Sequence, residues 1–309
     1  MCAIKRNREY SGYFVAKLIA DASHIMNKKN NNNMKQLNYL ITFVAINISI
    51  IGNALIAQDL ENVSHPGKFY TIEKSYENSN IDGYNLYIPN SCTNDSKAFP
   101  VIVFLQGGLA VGGKVDVIFN WELPKELKET KELGSELKEL KLNTFVYVMP
   151  HISKGNFYEN VDAISKVIEE VSRNYNVDGH RIYLTGLSRG GHGTWGVASK
   201  MSEMFAAIAP ICGASHGIDD YKKLAELPIW TAHNISDNMV NYNETKNTVL
   251  KIEEISGKRF SRTKTISEAD YENNDLIFTS GEGDQKGHNA WKEVYNNVNF
   301  YKWLLRFKK

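Results

Sequence analysis

Short continuous apolar runs dominate the chain: residues 101–105, 144–149, 182–185, 205–212, 228–232 and 276–280. None alternates apolar with polar, so each suits a strand buried on both faces, as in a parallel sheet. Helix-compatible stretches lie between them. Residues 122–142 place Leu123, Leu127, Leu133, Leu137 and Leu140 near helical spacing, with a break near Gly134. Their Lys/Glu content predicts a solvated surface helix with one face on the sheet. Residues 161–175 carry Ile164, Val167, Ile168 and Val171, and a C-terminal helix from Trp291 carries Val294, Tyr295, Tyr301, Leu304 and Leu305. Residues 69–73 and 84–88 suit antiparallel strands, with a turn near Asp82-Gly83. The class is therefore α/β: a mostly parallel central sheet with helices on both faces. Functional sites in such sheets lie beyond the carboxyl ends of the strands.

One of those ends carries Gly186-Leu187-Ser188-Arg189-Gly190, between the run 182–185 and a helix-compatible stretch. This is the strand–turn–helix context of a G-x-S-x-G nucleophile elbow. The turn strains Ser188, and a side chain at Gly186 or Gly190 is expected to clash with neighbouring backbone. A serine hydroxyl needs a base, and an imidazole base needs an acid to fix its tautomer. His288 follows the last run in Gly287-His288-Asn289, and Asp237 follows the preceding one. The order Ser188, Asp237, His288 is the one used by α/β-hydrolases. Loop position leaves Asp219, Asp220 and Asp284 as alternatives to Asp237, and His233 as the competing base. The backbone amide of Arg189 supplies one oxyanion donor. The glycine-rich turn after residue 105 supplies the second, from Gly108 or alternatively Leu109. Gln106, Leu109, His151, His192, His233 and Trp291 are expected to line the pocket, with His216 a further candidate.

A formal net charge of +1 lacks the cationic excess that nucleic acid requires, so none is expected as a partner. Cys2, Cys92 and Cys212 are too few for a disulfide framework, and Cys212 reads as a small core residue. No cysteine stands at metal-ligand spacing from a histidine, and H-E-x-x-H is absent. Neither metal nor cofactor is expected. Residues 34–57 read as a signal peptide: Met34-Lys35, an apolar run from Leu40 to Ala57, and small residues that fit cleavage after Ala57 or Ala54. Asn47 and Asn53 interrupt that run, which makes it a poor membrane span. The run Asn27-Lys28-Lys29-Asn30 and the asparagines after it cannot form a core, so residues 1–33 are read as lying upstream of the true start. Residues 58–309 are then one catalytic domain, secreted or periplasmic.

Four blocks in order, RIYLTGLSRGGHGTW, FAAIAPICGAS, LPIWTAHNISDNMV and GHNAWKEVY…YKWLL, resemble one group of α/β-hydrolases. The group comprises secreted esterases often labelled predicted peptidases. They are related to polyhydroxybutyrate depolymerases, feruloyl and acetyl-xylan esterases and dienelactone hydrolases. The resemblance runs from about Val101 to Leu305 and implies the α/β-hydrolase fold, with Ser188 as nucleophile, Asp237 as acid and His288 as base. The chain departs from the group's pattern in several places. Gln106-Gly107 replaces His-Gly, Ala110-Val111 replaces Glu-Arg, Arg189 stands where Met is common, and Asn234 where Gly is usual. Arg189 either favours an anionic substrate or extends to solvent. The resemblance implies hydrolysis of a carboxylic ester, on a small molecule or a polysaccharide. The alternatives are a serine peptidase on the same triad and a non-catalytic carbohydrate- or surface-binding protein that keeps the fold.

Overall fold

The computed structural model describes residues 66–93, 97–129, 133–264, 271–281 and 287–309. Residues 1–33, the signal-peptide stretch 34–57, His24, His65 and Asp284 lie outside the described residues. No helix among the described residues is long and apolar enough to cross a membrane.

Among the described residues one sheet runs in the order β1-β2-β4-β3-β5-β6-β7-β9-β8. Its strands are β1 (Gly67–Glu73), β2 (Ile81–Pro89), β3 (Phe99–Leu105), β4 (Val146–Ile152), β5 (Val177–Leu187), β6 (Ala207–Ile211), β7 (Ile229–Ala232), β8 (Ser261–Thr263) and β9 (Leu276–Thr279). β1 pairs antiparallel with β2, and β2 with β4; the other neighbouring pairs are parallel. The continuous apolar runs have the predicted cause. Every residue of β3, β4, β6, β7 and β9 is buried. Val101, Val103 and Leu105 pack into one core layer while Ile102 and Phe104 pack into the other, following the period of two along a strand.

The helices are α1 (Glu122–Lys128), α2 (Ser135–Asn143), α3 (Val161–Asn174), α4 (Arg189–Met201), α5 (Tyr221–Ala225), α6 (Tyr242–Ser256), α7 (Trp291–Tyr295) and α8 (Val298–Leu305). α3 buries Ala163, Ile164, Val167, Ile168 and Val171 beside α4. α1, α2 and α8 contribute Leu123, Leu127, Leu137 and Trp303 to the opposite layer.

Several expectations change. Residues 122–142 form two helices, with Lys141 fully buried and its ammonium 2.7 Å from Glu126 Oε2. The turn between β1 and β2 precedes Ile81, so Asp82-Gly83 stands inside β2, where the register shifts. α6 has no strong apolar stripe, because Thr245 and Thr248 occupy buried positions beside Val249 and Ile252. It is delimited by its caps instead. The Asn241 side chain accepts the Asn243 amide, and Gly257 ends the helix at φ +69. Cys92 and Cys212 are both buried.

Candidate active site

Between β5 and α4 the backbone of Ser188 has φ +53 and ψ −117, a region that costs an L residue roughly 1–3 kcal/mol. The flanking glycines permit it. A Cβ on Gly186 would stand 2.5 Å from the Gly190 carbonyl oxygen, and one on Gly190 only 1.9 Å from the Leu105 carbonyl oxygen. The Ser188 amide donates to Ile211 O, 3.0 Å away, and its carbonyl accepts from His192 N at 2.9 Å. As that is the first full helical bond, the amides of Arg189 and Gly190 have no partner within α4.

The three predicted side chains meet. His288 Nε2 is 2.8 Å from Ser188 Oγ, and His288 Nδ1 is 2.7 Å from Asp237 Oδ2. This network assigns the proton on the ring to Nδ1 and leaves Nε2 to accept from the serine hydroxyl. The Trp291 ring lies edge-on to His288, with centroids 5.4 Å apart. The loops are tied to each other by Asn234, whose amide donates to Gly287 O at 2.9 Å and Asn289 Oδ1 at 3.1 Å. A glycine at position 234 has no side chain to make that link.

The Asp237 side chain is enclosed, and desolvation opposes its charge. Hydrogen bonds from His233, the Val240 amide, His288 and the Met239 amide outweigh that and hold its carboxyl well below the usual carboxylate range. The two amides donate to Oδ1, each at 2.9 Å, leaving Oδ2 for the imidazoles. His233 Nε2 lies 3.2 Å from Asp237 Oδ2 and 3.0 Å from Val240 O, with Nδ1 2.8 Å from Thr245 Oγ1. His233 therefore stands behind the acid, orients it, and neither lines a pocket nor competes as base. His233→Phe is expected to lower kcat about 10- to 100-fold with little change in KM, by analogy with other groups that orient a ligating or catalytic residue. Steady-state kinetics on an aryl acetate would measure it, and an unchanged kcat would contradict this role.

Across the elbow, β3 ends in Gln106-Gly107 and a 3₁₀ turn, Gly108–Ala110. Its position beside Ser188 follows from the parallel pairing of Leu105 with Gly186. Gln106 is fully buried beneath this turn, its Nε2 donating to Ala110 O at 2.6 Å, so it anchors the turn instead of lining a pocket. The steric constraint lies on Gly107. A Cβ there would meet Glu122 Oε1 at 2.7 Å and Leu187 Cδ1 at 2.8 Å, whereas one on Gly108 would meet nothing within 4 Å. Leu109 is 71% exposed at the rim.

No family model matches the chain. A curated relative, the bifunctional acetylxylan esterase/xylanase XynS20E of Neocallimastix patriciarum, is 31% identical over 83 residues; the match spans 27% of this chain and 12% of that protein. Among solved structures, a thermostable esterase superposes with a TM-score of 0.58 at 21% identity, over 79% of this chain and 64% of its own. The feruloyl esterase module from Clostridium thermocellum, an S954A mutant complexed with sinapinate, gives a TM-score of 0.55 at 15% identity, over 79% of this chain and 90% of its own. The acetyl xylan esterase from Aspergillus awamori gives 0.55 at 14%, over 76% and 99%. The fold is that of the α/β-hydrolases.

Other candidate residues have different roles. His151 is fully buried in β4, with Nδ1 2.6 Å from Asp82 Oδ1 and Nε2 3.1 Å from Gly112 O, so it braces the loop after β3 and does not line a pocket. His192 stands one turn into α4 from Ser188, edge-on to His216 with centroids 5.6 Å apart. Burial first, then the charges of His216, Arg189 and His288, push its ring down to about 4, so it is neutral at neutral pH. Arg189 is half-buried, and its Nη1 donates to Gly155 O at 2.6 Å. Asp220 caps α5 by accepting the Lys222 amide. The Asp219 amide donates to Ser199 Oγ, so that aspartate also belongs to the approach to α5.

Cys212 Sγ and the donor atoms of Asp237 and His288 lie within 4.8 Å of one another. Burial pushes the Cys212 thiol up from its ordinary value. Sequence reasoning missed Glu122, which it assigned to a solvated helix face. In the structure Glu122 opens α1 at φ +54 with its carboxyl against Gly107. Sequence alone contains no signal for that placement.

Proposed function

We propose that the chain is a serine hydrolase acting on carboxylic esters. The carrying observation is the hydrogen-bonded series Ser188 Oγ, His288 Nε2, His288 Nδ1, Asp237 Oδ2, at 2.8 and 2.7 Å. Ser188 attacks the ester carbonyl while His288 accepts its proton, and Asp237 stabilises the imidazolium that forms. The Arg189 amide and an amide of the turn after β3, from Gly108 or Leu109, hold the tetrahedral oxyanion. His288 then protonates the departing alcohol. Water, activated by the same imidazole, releases the acid from Ser188.

The names of the similar proteins support a substrate class of acetyl or feruloyl esters, carried by plant-type polysaccharides or small alcohols. Export to the periplasm or outside the cell is part of this proposal and rests on the apolar stretch 34–57. N-terminal sequencing of the native protein should find it cut after Ala54 or Ala57, and recovery of peptides from residues 1–33 would contradict the assigned start. The direct test of chemistry combines labelling by a fluorophosphonate with assays on an aryl acetate, a feruloyl ester and a peptide amide. Labelling of Ser188 with turnover of the esters alone is expected. Folded protein that neither labels nor turns over would be a binding protein on this fold, and preferential amide cleavage would make it a peptidase.

A further inference from the structure

Glu122 is the first residue of α1, and its φ of +54 is one that favours glycine. Backbone strain on a residue other than glycine persists only where the surroundings hold it, and such strain gathers at functional sites. Here the strain turns the side chain inward. Its Oε2 faces the Gly107 amide at 3.5 Å, and its Oε1 stands 2.7 Å from where a Gly107 Cβ would be. The Gly107 amide directly precedes the turn whose Gly108 and Leu109 amides have no partner within it.

The charged and titratable groups that face Glu122 come from three elements. Glu126 lies one helical turn along α1, Cys212 follows β6, and Tyr295 belongs to α7. None is a cation, and among the described residues no ion pair reaches Glu122. The buried Lys141 ammonium is bonded instead to Glu126, Tyr295 O and Asn296. Burial first and then Glu126 push the Glu122 carboxyl up, against the Gly107 hydrogen bond, to about 7.

We propose that Glu122 is a positioning residue for ester hydrolysis, anchoring the oxyanion turn through the Gly107 amide. This rests on the esterase reading above. The carbonyl oxygen of a neutral carboxyl accepts the Gly107 N–H without placing a charge beside the turn. Once ionised, the same group opposes the negative charge that develops on the substrate oxygen. The sign follows from the raised carboxyl. Below pH about 7 Glu122 holds its proton and the turn works unopposed; above it the proton is lost and kcat falls.

The test is the pH dependence of kcat and KM for an aryl acetate, between about pH 5 and 9, for the native chain, Glu122→Gln and Glu122→Gly. The native kcat should fall several-fold on the alkaline side at constant KM. Glu122→Gln keeps a neutral acceptor and should lose that fall while matching the native acid-side kcat within about twofold. Glu122→Gly suits the backbone, so its Tm should equal or exceed the native value; having lost the anchor, it should turn over about tenfold more slowly at every pH. Coincident pH profiles for native and Glu122→Gln, or a native kcat in Glu122→Gly, would overturn the inference. In that case the native chain is still active and the esterase reading survives. A native chain that neither hydrolyses the ester nor labels with fluorophosphonate overturns both.

Discussion

Ser188→Ala should lower kcat/KM for an aryl acetate by roughly 10⁴- to 10⁶-fold, equivalent to about 5.5–8 kcal/mol of transition-state stabilisation. The substitution removes one oxygen atom and leaves the rest of the site in place. His288 keeps its 2.7 Å bond to Asp237, and Asp237 keeps its amides and His233. The backbone donors of Arg189 and the turn after β3 also remain. The residual rate is what those donors and substrate binding support without a nucleophile. Stability should barely change, since alanine fits the space of serine. It meets a similar backbone penalty at φ +53. Kinetics on protein purified free of host esterases, together with a denaturation midpoint, measure both effects. A mutant within tenfold of the native rate would remove Ser188 from the mechanism.

The largest effect on folding belongs to Gly190. A methyl group there would lie 1.9 Å from Leu105 O, 2.5 Å from Leu105 C and 2.8 Å from Gln106 O. All three are backbone atoms at the end of β3, which is buried along its whole length, so no rotamer change relieves the overlap. α4 must move off the sheet. Gly190→Ala is therefore expected to cost about 3 kcal/mol or more in urea denaturation, at or beyond the upper end of overpacking effects. Because α4 carries the Arg189 amide and β3 carries the opposing turn, the same displacement opens the oxyanion site, and activity should fall at least about tenfold. Gly108→Ala is the control. With nothing within 4 Å of its Cβ, it should change stability by less than about 0.5 kcal/mol. Equal stability of Gly190→Ala and native protein would mean that helix and strand do not approach as closely as described.

Some of this was legible in the chain because its causes are local. The elbow is a sequence of steric requirements within a few residues of Ser188, so Gly186 and Gly190 announce it directly. The buried strands were legible because covering a sheet on both faces demands apolar residues at every position. Asp237 and His288 were legible because strand ends of such a sheet converge at one edge, so loop residues distant in the chain share one site. The turn between β1 and β2 was misplaced because Asp82-Gly83 has turn chemistry, but Asp82 is held within β2 by its side-chain contact with His151.

What only the tertiary structure decided is how buried polar side chains are used. The sequence placed His151, His233 and Gln106 near strand ends, and packing spent all three as braces. The link from Asn234 to Gly287 crosses 53 positions, and that from His151 to Asp82 crosses 69. Glu122 reaches Gly107 across 15 positions, on a left-handed backbone. No apolar periodicity or capping pattern encodes such pairings. A polar atom enclosed by a folded chain must find a partner wherever the packing has left one. The sequence by itself therefore determined the sheet, the elbow and the three side chains at its edge. Tertiary packing determined which neighbours hold them in place, because desolvation acts only once the chain has closed around them.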